Sequence, residues 1–224
     1  DWSVTAPATP LGPGTAGEFA LHPAGASPGD VRAFEVVVRD GDAKRRVPCQ
    51  VLVADAPLVR EAEQADELVG AAAPTDLPAA SGTKVVSFSG DGQLRFGFAS
   101  TGGTFALWLR ARWDPGSSTA LKLSLDEGRP RDVRADAMIG FSDWTDPKGA
   151  HTKMFAHFGE PYGHWSWYRI PDVQVTGGEH RLALAAGAGA QFDALLLLPQ
   201  TDALDRAAMN LFMNWNYAPW ENPL

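Results

Sequence analysis

The chain has a single cysteine among its 224 residues, so no disulfide can form within it. Cys49 lies in Val47-Pro48-Cys49-Gln50-Val51 and reads as a small apolar side chain. One thiol does not settle the redox compartment. No apolar run reaches the roughly 18 residues that a membrane span needs, so no membrane span is expected. The first residues, Asp1-Trp2-Ser3-Val4, lack the charged and apolar leader of an export signal. This abrupt start reads as a mature or cleaved end, or as a start inside a larger protein. Basic charge is short: 19 Lys and Arg stand against 27 Asp and Glu, for a formal net charge of -8. The one tight basic run, Lys44-Arg45-Arg46, reads as a solvated hairpin tip. A phosphate backbone is held by clustered cations, so no nucleic acid is expected as a partner. There is no nucleophile elbow, phosphate loop or dinucleotide fingerprint. No His or Cys spacing matches a zinc site.

Turn formers are plentiful, with 23 Gly and 17 Pro, and the chain carries 8 Trp. Frequent turns between short apolar runs describe an all-β protein rather than a helical bundle. Residues 1–57 read as a small β-domain with strands at 2–6, 17–22, 31–40 and 46–54, separated by Pro/Gly turns such as Pro10-Leu11-Gly12-Pro13-Gly14. Phe34, Val36 and Val38 alternate with Ala33, Glu35 and Val37, as in a sheet with one wet face. Residues 58–200 read as a second, complete β-domain, with strands at 58–62, 83–88, 93–98, 104–113, 120–125, 165–170, 173–175, 180–185 and 192–198. The spacing favours a sandwich or jelly roll. The Ala/Pro-rich piece at 70–80 reads as a loop, and 138–163 shows no strand pattern. Residues 201–224 read as a short helix over 202–213, N-capped by Thr201 or Asp202, and an aromatic tail with Trp215, Tyr217 and Trp220. This segment is too apolar for a disordered end, and it is expected to pack back on the protein or on a neighbour.

Three acids stand out. Glu61 and Glu63 alternate on an opening strand, which places them on one side of a sheet. Asp193 precedes an apolar run, Ala194-Leu195-Leu196-Leu197-Leu198, where a carboxylate is costly unless something pairs with it. If the first and last strands lie side by side, the three carboxylates can meet around a hard cation.

Several pieces carry a family resemblance in their order: Glu61-Ala62-Glu63, Gly82-Thr83-Lys84-Val85-Val86, Gly92-Gln93-Leu94-Arg95-Phe96 and Gly103-Thr104-Phe105-Ala106-Leu107-Trp108-Leu109-Arg110-Ala111. Trp167-Tyr168, Val173-Gln174-Val175-Thr176-Gly177-Gly178-Glu179-His180-Arg181 and Phe192-Asp193-Ala194-Leu195 continue it. Together, over residues 58–199, they resemble carbohydrate-binding modules of families 6 and 35, with the galactose-binding-like jelly-roll fold. The turn pattern of residues 1–57 resembles the small immunoglobulin-like domains that flank catalytic domains in carbohydrate-active enzymes. The resemblance implies a structural calcium, with Glu61, Glu63 and Asp193 as ligands and backbone carbonyls near Thr83 completing the shell. It also implies a sugar site in loops at one end of the sandwich. The 138–163 stretch replaces a short connection of the usual module.

Pyranose rings stack their C–H faces on aromatic rings. Trp144, Tyr162, His164 and Trp165 are therefore the candidate carbohydrate-binding residues. Trp144 is the better choice for an exposed ring because polar residues flank it on a loop, whereas Trp167 and Tyr168 read as core. His151, His157, Asp143, Asp146 and Glu160 could serve acid/base chemistry or belong to a solvated loop, and no catalytic residue is assigned. The expected function is a non-catalytic accessory region of a secreted or cell-surface polysaccharide-active protein. Its expected partners are a polysaccharide or oligosaccharide and a catalytic domain or partner chain. The alternative is a structural C-terminal portion of a multidomain glycoside hydrolase or polysaccharide lyase that packs on the catalytic domain without binding sugar.

Overall fold

The computed structural model describes residues 3–5, 20–22, 25–40, 43–77, 80–134 and 165–216. The chain divides into two compact units, Asp1–Ala54 and Asp55–Leu224. In the first, β1 (Ser3–Thr5) pairs antiparallel with β2 (Ala20–His22), and β3 (Val31–Asp40) with β4 (Ala43–Leu52). The alternation along β3 is kept, since Phe34 and Val36 are half-buried while Ala33, Glu35 and Val37 are exposed. Phe34 opposes Cys49, which is half-buried rather than fully enclosed. On the wet side Arg46 reaches Glu35 at 2.6 Å, an exposed pair worth little to stability.

The second unit is an all-β jelly-roll sandwich with one helix. Its strands are β5 (Leu58–Glu61), β6 (Glu67–Asp76), β7 (Lys84–Trp113), β8 (Ala120–Leu125), β9 (Arg131–Arg134), β10 (Ser166–Ala186) and β11 (Ala190–Pro199). They form one antiparallel sheet in the order β5-β11-β7-β10-β8-β9, with β6 added on β7. The first and last strands are neighbours, Glu61 lying opposite Ala194.

Two of these strands are far longer than their sequence suggests. The three runs expected at 83–88, 93–98 and 104–113 are one strand of 30 residues, β7, and the three expected between 165 and 185 are one strand of 21, β10. Glycines that look like breaks act as corners. Gly102 and Gly103 take φ of 91° and 149°, and Gly178, opposite Ser100, takes 128°. A Cβ on Gly102 would meet the backbone nitrogen of Gly177 at 3.1 Å, so the close crossing of the two strands depends on Gly102 being bare. Beyond the corner the sheet turns over itself. Leu107, Leu109, Trp113 and Tyr168 from one half then share a core with Phe96, Phe98, Leu182 and Leu184 from the other. Trp113 and Tyr168 meet edge to face at 5.0 Å.

Two edge strands run against expectation. The piece read as a loop at 70–80 is mostly β6, and Arg131-Asp132-Val133-Arg134 is β9. An edge strand needs no apolar alternation, and Ala72 is the only buried residue of β6. Pro74 is tolerated because β6 pairs on one side alone. Polar or Pro-bearing edges also resist pairing with other chains.

The helix α1 (Asp202–Asn216) follows β11 directly. The Thr201 hydroxyl accepts the Leu204 N–H at 3.2 Å, and Asp202 and Asp205 place negative charge in the first turn. Leu204, Ala208 and Phe212, four residues apart, are buried. They cover the outer face of the sheet, where Phe212 stacks on Trp167 at 4.0 Å and meets Trp108 edge-on at 5.0 Å. Arg169 on β10 clamps Asp205 with two hydrogen bonds, at 3.0 and 2.5 Å. Trp167 is therefore buried as expected, but against the helix; Tyr168 is the one that points into the sandwich. No helix of the described residues is long and apolar enough to cross a membrane.

Phe212→Ala should destabilise the second unit by about 3–5 kcal/mol, read from urea unfolding. Because it uncovers Trp167 and Trp108, native tryptophan emission should shift to the red. An unchanged midpoint would show that α1 is a dispensable appendage.

Candidate metal and ligand site

The carboxyl end of β5, two single-turn 3-10 segments, the start of β11 and the end of β7 meet on the outer face of the sheet. Glu61 is the last residue of β5, and Glu63 lies in the turn Ala62–Gln64. The two glutamates therefore share a side for a different reason than strand alternation. The chain leaves the strand after Glu61, buries Ala62, and the turn brings Glu63 round to the same place. The second turn, Ser81–Thr83, lies over both. A Cβ at Gly82 would sit 2.8 Å from Glu63 Oε1 and 3.7 Å from Glu61 Cγ, and Gly82 has φ of 62°. Thr83 follows with φ of 66°, a region that a β-branched residue enters only where its surroundings hold it there.

Asp193 reaches this place through a β-bulge. The ladder between β11 and β7 slips between Phe192 and Ala194, while Phe192 and Leu195 both remain in the core. The extra residue turns Asp193 outward, to the side of Arg110. There it forms an ion pair with Arg110, both side chains fully buried, and it accepts the Ser81 backbone N–H. This is the partner that a carboxylate before a run of leucines requires. Ser81 Oγ also donates to Glu61 Oε1 at 2.7 Å.

One oxygen of each acid, namely Glu61 Oε2, Glu63 Oε2 and Asp193 Oδ1, is buried without a hydrogen-bond partner. Burial raises the pKa of all three acids. Asp193 and Glu63 add repulsion at Glu61, Ser81 and Arg110 act against it, and Arg110 opposes the rise at Asp193. Burial lowers the pKa of Arg110, against the pull of Asp193. Three carboxylates thus face the Arg110 guanidinium, with Lys84 acting on Glu63 alone, an excess of negative charge in a partly desolvated place.

The donor type fits a hard dication, which takes carboxylate and carbonyl oxygens. A groove beside Glu61 is lined by Val59, Arg60, Gln64 and Trp167 and does not include Glu63 or Asp193. Among the described residues no three His, Cys, Asp or Glu side chains lie together closely enough to hold a metal ion, so the three acids as placed here are near one another without forming a coordination shell.

Of the four candidate carbohydrate-binding residues, Trp144, Tyr162 and His164 lie outside the described residues, as do Asp143, Asp146, His151, His157 and Glu160. Trp165 is half-buried, and the guanidinium carbons of Arg110 and Arg112 lie 5.0 and 5.2 Å from its ring centre. Its ring thus engages the arginines of the acid site, and Arg112 is itself fixed by Gln191 at 2.7 Å. Sequence reasoning assigned no role to Arg110, Ser81 or Gly82. The available signal was symmetry: one Arg in the apolar strand Ala106–Ala111 answers one Asp in the apolar strand that closes the domain.

No family model and no curated protein matches the chain. Similar solved structures include a GH26-CBM35 β-(1,4)-mannanase from Podospora anserina, with 16% identity and a TM-score of 0.46, over 66% of this chain and 28% of that one. An exo-β-1,3-galactanase from Phanerochaete chrysosporium, solved with galactose, shares 17% identity at a TM-score of 0.43, over 66% of this chain and 30% of its own. The carbohydrate-binding module CBM6cm-2 of Cellvibrio mixtus lichenase 5A, solved with cellotriose, shares 13% at 0.45, over 65% of this chain and 99% of its own. The chain thus spans less than a third of the two enzymes. At these values no activity or substrate passes from those proteins to this chain.

Asp193→Ala, measured in chelator, should cost about 3–5 kcal/mol by removing the carboxylate that compensates the buried Arg110 charge. The double variant Arg110→Met/Asp193→Leu should recover most of that loss in urea unfolding. A double variant as unstable as the single one would mean that the pair is not what makes Asp193 necessary.

Proposed function

We propose that the chain is a non-catalytic carbohydrate-binding accessory region of a larger secreted polysaccharide-active protein, held in shape by a structural calcium. The observation that carries this reading is the meeting of Glu61, Glu63 and Asp193. The family resemblance names these three as calcium ligands, and the fold gathers them from strands more than 130 residues apart. Calcium takes six to eight oxygens at about 2.3–2.6 Å. Glu61 Oε2, Glu63 Oε2 and Asp193 Oδ1 would supply the charged ones, and carbonyls of the turn around Thr83 would supply others. Bound there, the ion offsets the excess negative charge and fastens the first strand to the last. Ser81 and Arg110 orient Glu61 and Asp193 for it.

On this reading the sugar is held by Trp144, Tyr162, His164 and Trp165, with the first unit as a small immunoglobulin-like spacer and a catalytic domain as the neighbour. A sugar ring on Trp165 would take the part of its surface that the two arginines leave free. The half-exposure of that ring and the polar residues around Trp144 support the placement.

Two titrations test the two halves of the proposal separately. Calcium at about 100 times its dissociation constant adds about 2.7 kcal/mol, which for a unit of this size raises Tm by about 5–10 °C. Glu61→Gln should abolish the shift, and a wild-type Tm indifferent to calcium and to chelator removes the metal from the account. Isothermal titration against β-1,3-galactan, β-1,4-mannan and cello-oligosaccharides should show binding to at least one, weakened about tenfold or more by Trp144→Ala. A folded chain that binds none of a broad glycan panel is no carbohydrate-binding module.

A further inference from the structure

The turn between β8 and β9 is fastened to β10 by a histidine placed for two protons. Asp126 and Glu127 in this turn have φ of 51° and 60°, a region that non-glycine residues keep only when neighbours hold them. Asp126 Oδ1 accepts the Arg181 backbone N–H at 2.8 Å, and the Asp126 N–H returns a bond to the Arg181 carbonyl at 2.9 Å. The other oxygen, Oδ2, lies 2.7 Å from His180 Nδ1. His180 Nε2 lies 2.9 Å from the carbonyl oxygen of Thr176. Both partners of the ring are acceptors; His180 itself is 9% exposed, while the Asp126 carboxylate is half-exposed, so water has little room at the Thr176 side of the ring. A neutral imidazole carries one N–H and satisfies one of them; the imidazolium satisfies both.

The surroundings agree. Asp126 from the turn and Glu179 on the same strand are the charged groups acting on the ring, and both are negative. From β7 the ring faces Phe98, with centroids 5.6 Å apart, which suits a cation. The hydrogen bond to Asp126 is the largest of the influences that raise the histidine's pKa above 6.5, and desolvation is the one that opposes them. Asp126 is held below the usual carboxylate range, first by His180 and then by the Arg181 N–H.

We propose that His180 is a proton-operated latch, which as imidazolium ties the β8–β9 turn at Asp126 to the β10 backbone at Thr176 and on losing a proton releases one of the two. A raised histidine pKa contributes stability that is whole below 6.5 and is lost as pH rises through the bound-state midpoint. The depressed Asp126 gives way only in acid, as pH falls through its own value. The latch is thus shut in mildly acidic solution and opens toward the alkaline side. What it reinforces is the β8–β9 edge of the sheet, which the two Asp126 hydrogen bonds with the Arg181 backbone and the bond from Arg131 in β9 to the Pro171 carbonyl at 3.0 Å also hold.

The test is a pH series on the full chain by nitrogen-15 NMR with amide exchange. Both ring nitrogens of His180 should be protonated at pH 6.5, and its midpoint should lie above that value. Exchange protection at the Asp126 amide, corrected for the intrinsic pH trend, should fall by about tenfold per pH unit between 6.5 and the midpoint. Asp126→Asn keeps a side chain suited to positive φ and removes the charge, so it should lower the midpoint. His180→Gln should leave only the intrinsic trend. A singly protonated ring at pH 6.5, or protection that stays flat through the midpoint, overturns the latch.

Discussion

The buried pair of Arg110 and Asp193 is the constraint around which the second unit is arranged. Removing two charges from water is expensive, and the attraction between them returns that energy only where geometry and further hydrogen bonds are good. The chain meets this requirement with several devices at once. A bulge in β11 aims the carboxylate outward, a backbone amide from the turn at Ser81 adds a second donor, and Trp165 lies close to the guanidinium. Each device constrains another element. The bulge sets the register of the last strand on β7, and the amide belongs to a turn whose glycine, Gly82, takes a positive φ against the Glu63 side chain.

The same outer face explains why the helix belongs to the domain. A jelly-roll sheet has one face in the core and commonly leaves the other to solvent. Here Trp108, Arg110 and Trp167 alternate with core residues on β7 and β10, and they are all buried. Phe212 and the Arg169–Asp205 clamp close the apolar half of that face, while the acids and Arg110 occupy the other. One sheet thus carries a greasy contact and an ionic one side by side.

Much of this was legible in the sequence, for identifiable reasons. Glu61, Glu63 and Asp193 announced themselves because carboxylates near apolar strands need an explanation, and for Asp193 the explanation is the pairing with Arg110. The helix after Thr201 was legible from its cap and its four-residue spacing. The identity of Asp193's partner was not, because a strand pattern shows which side Arg110 faces and says nothing of what faces it. The long strands were hidden for a related reason. Gly102, Gly103 and Gly178 signal a break by their freedom, yet in a sheet that turns over itself the same freedom makes a corner. Edge strands β6 and β9 carry little apolar alternation because one neighbour is enough for them. The side of the domain that would hold a sugar rests on residues 138–164, where the chain shows no periodicity to read.

The pairing of β5 with β11 also orders events in time. Glu61 waits for Ala194, more than 130 residues downstream. A ribosome adding about 5–20 residues each second leaves β5 without its neighbour for roughly 7–27 s. Through that interval the two glutamates meet solvent, Arg110 has no Asp193, and the helix has not been made. Closure of the sheet, burial of the ion pair and docking of the helix all wait until β11 and α1 have been made. A chain that stops before β11 lacks both the carboxylate that pairs with Arg110 and the ring that covers Trp108 and Trp167.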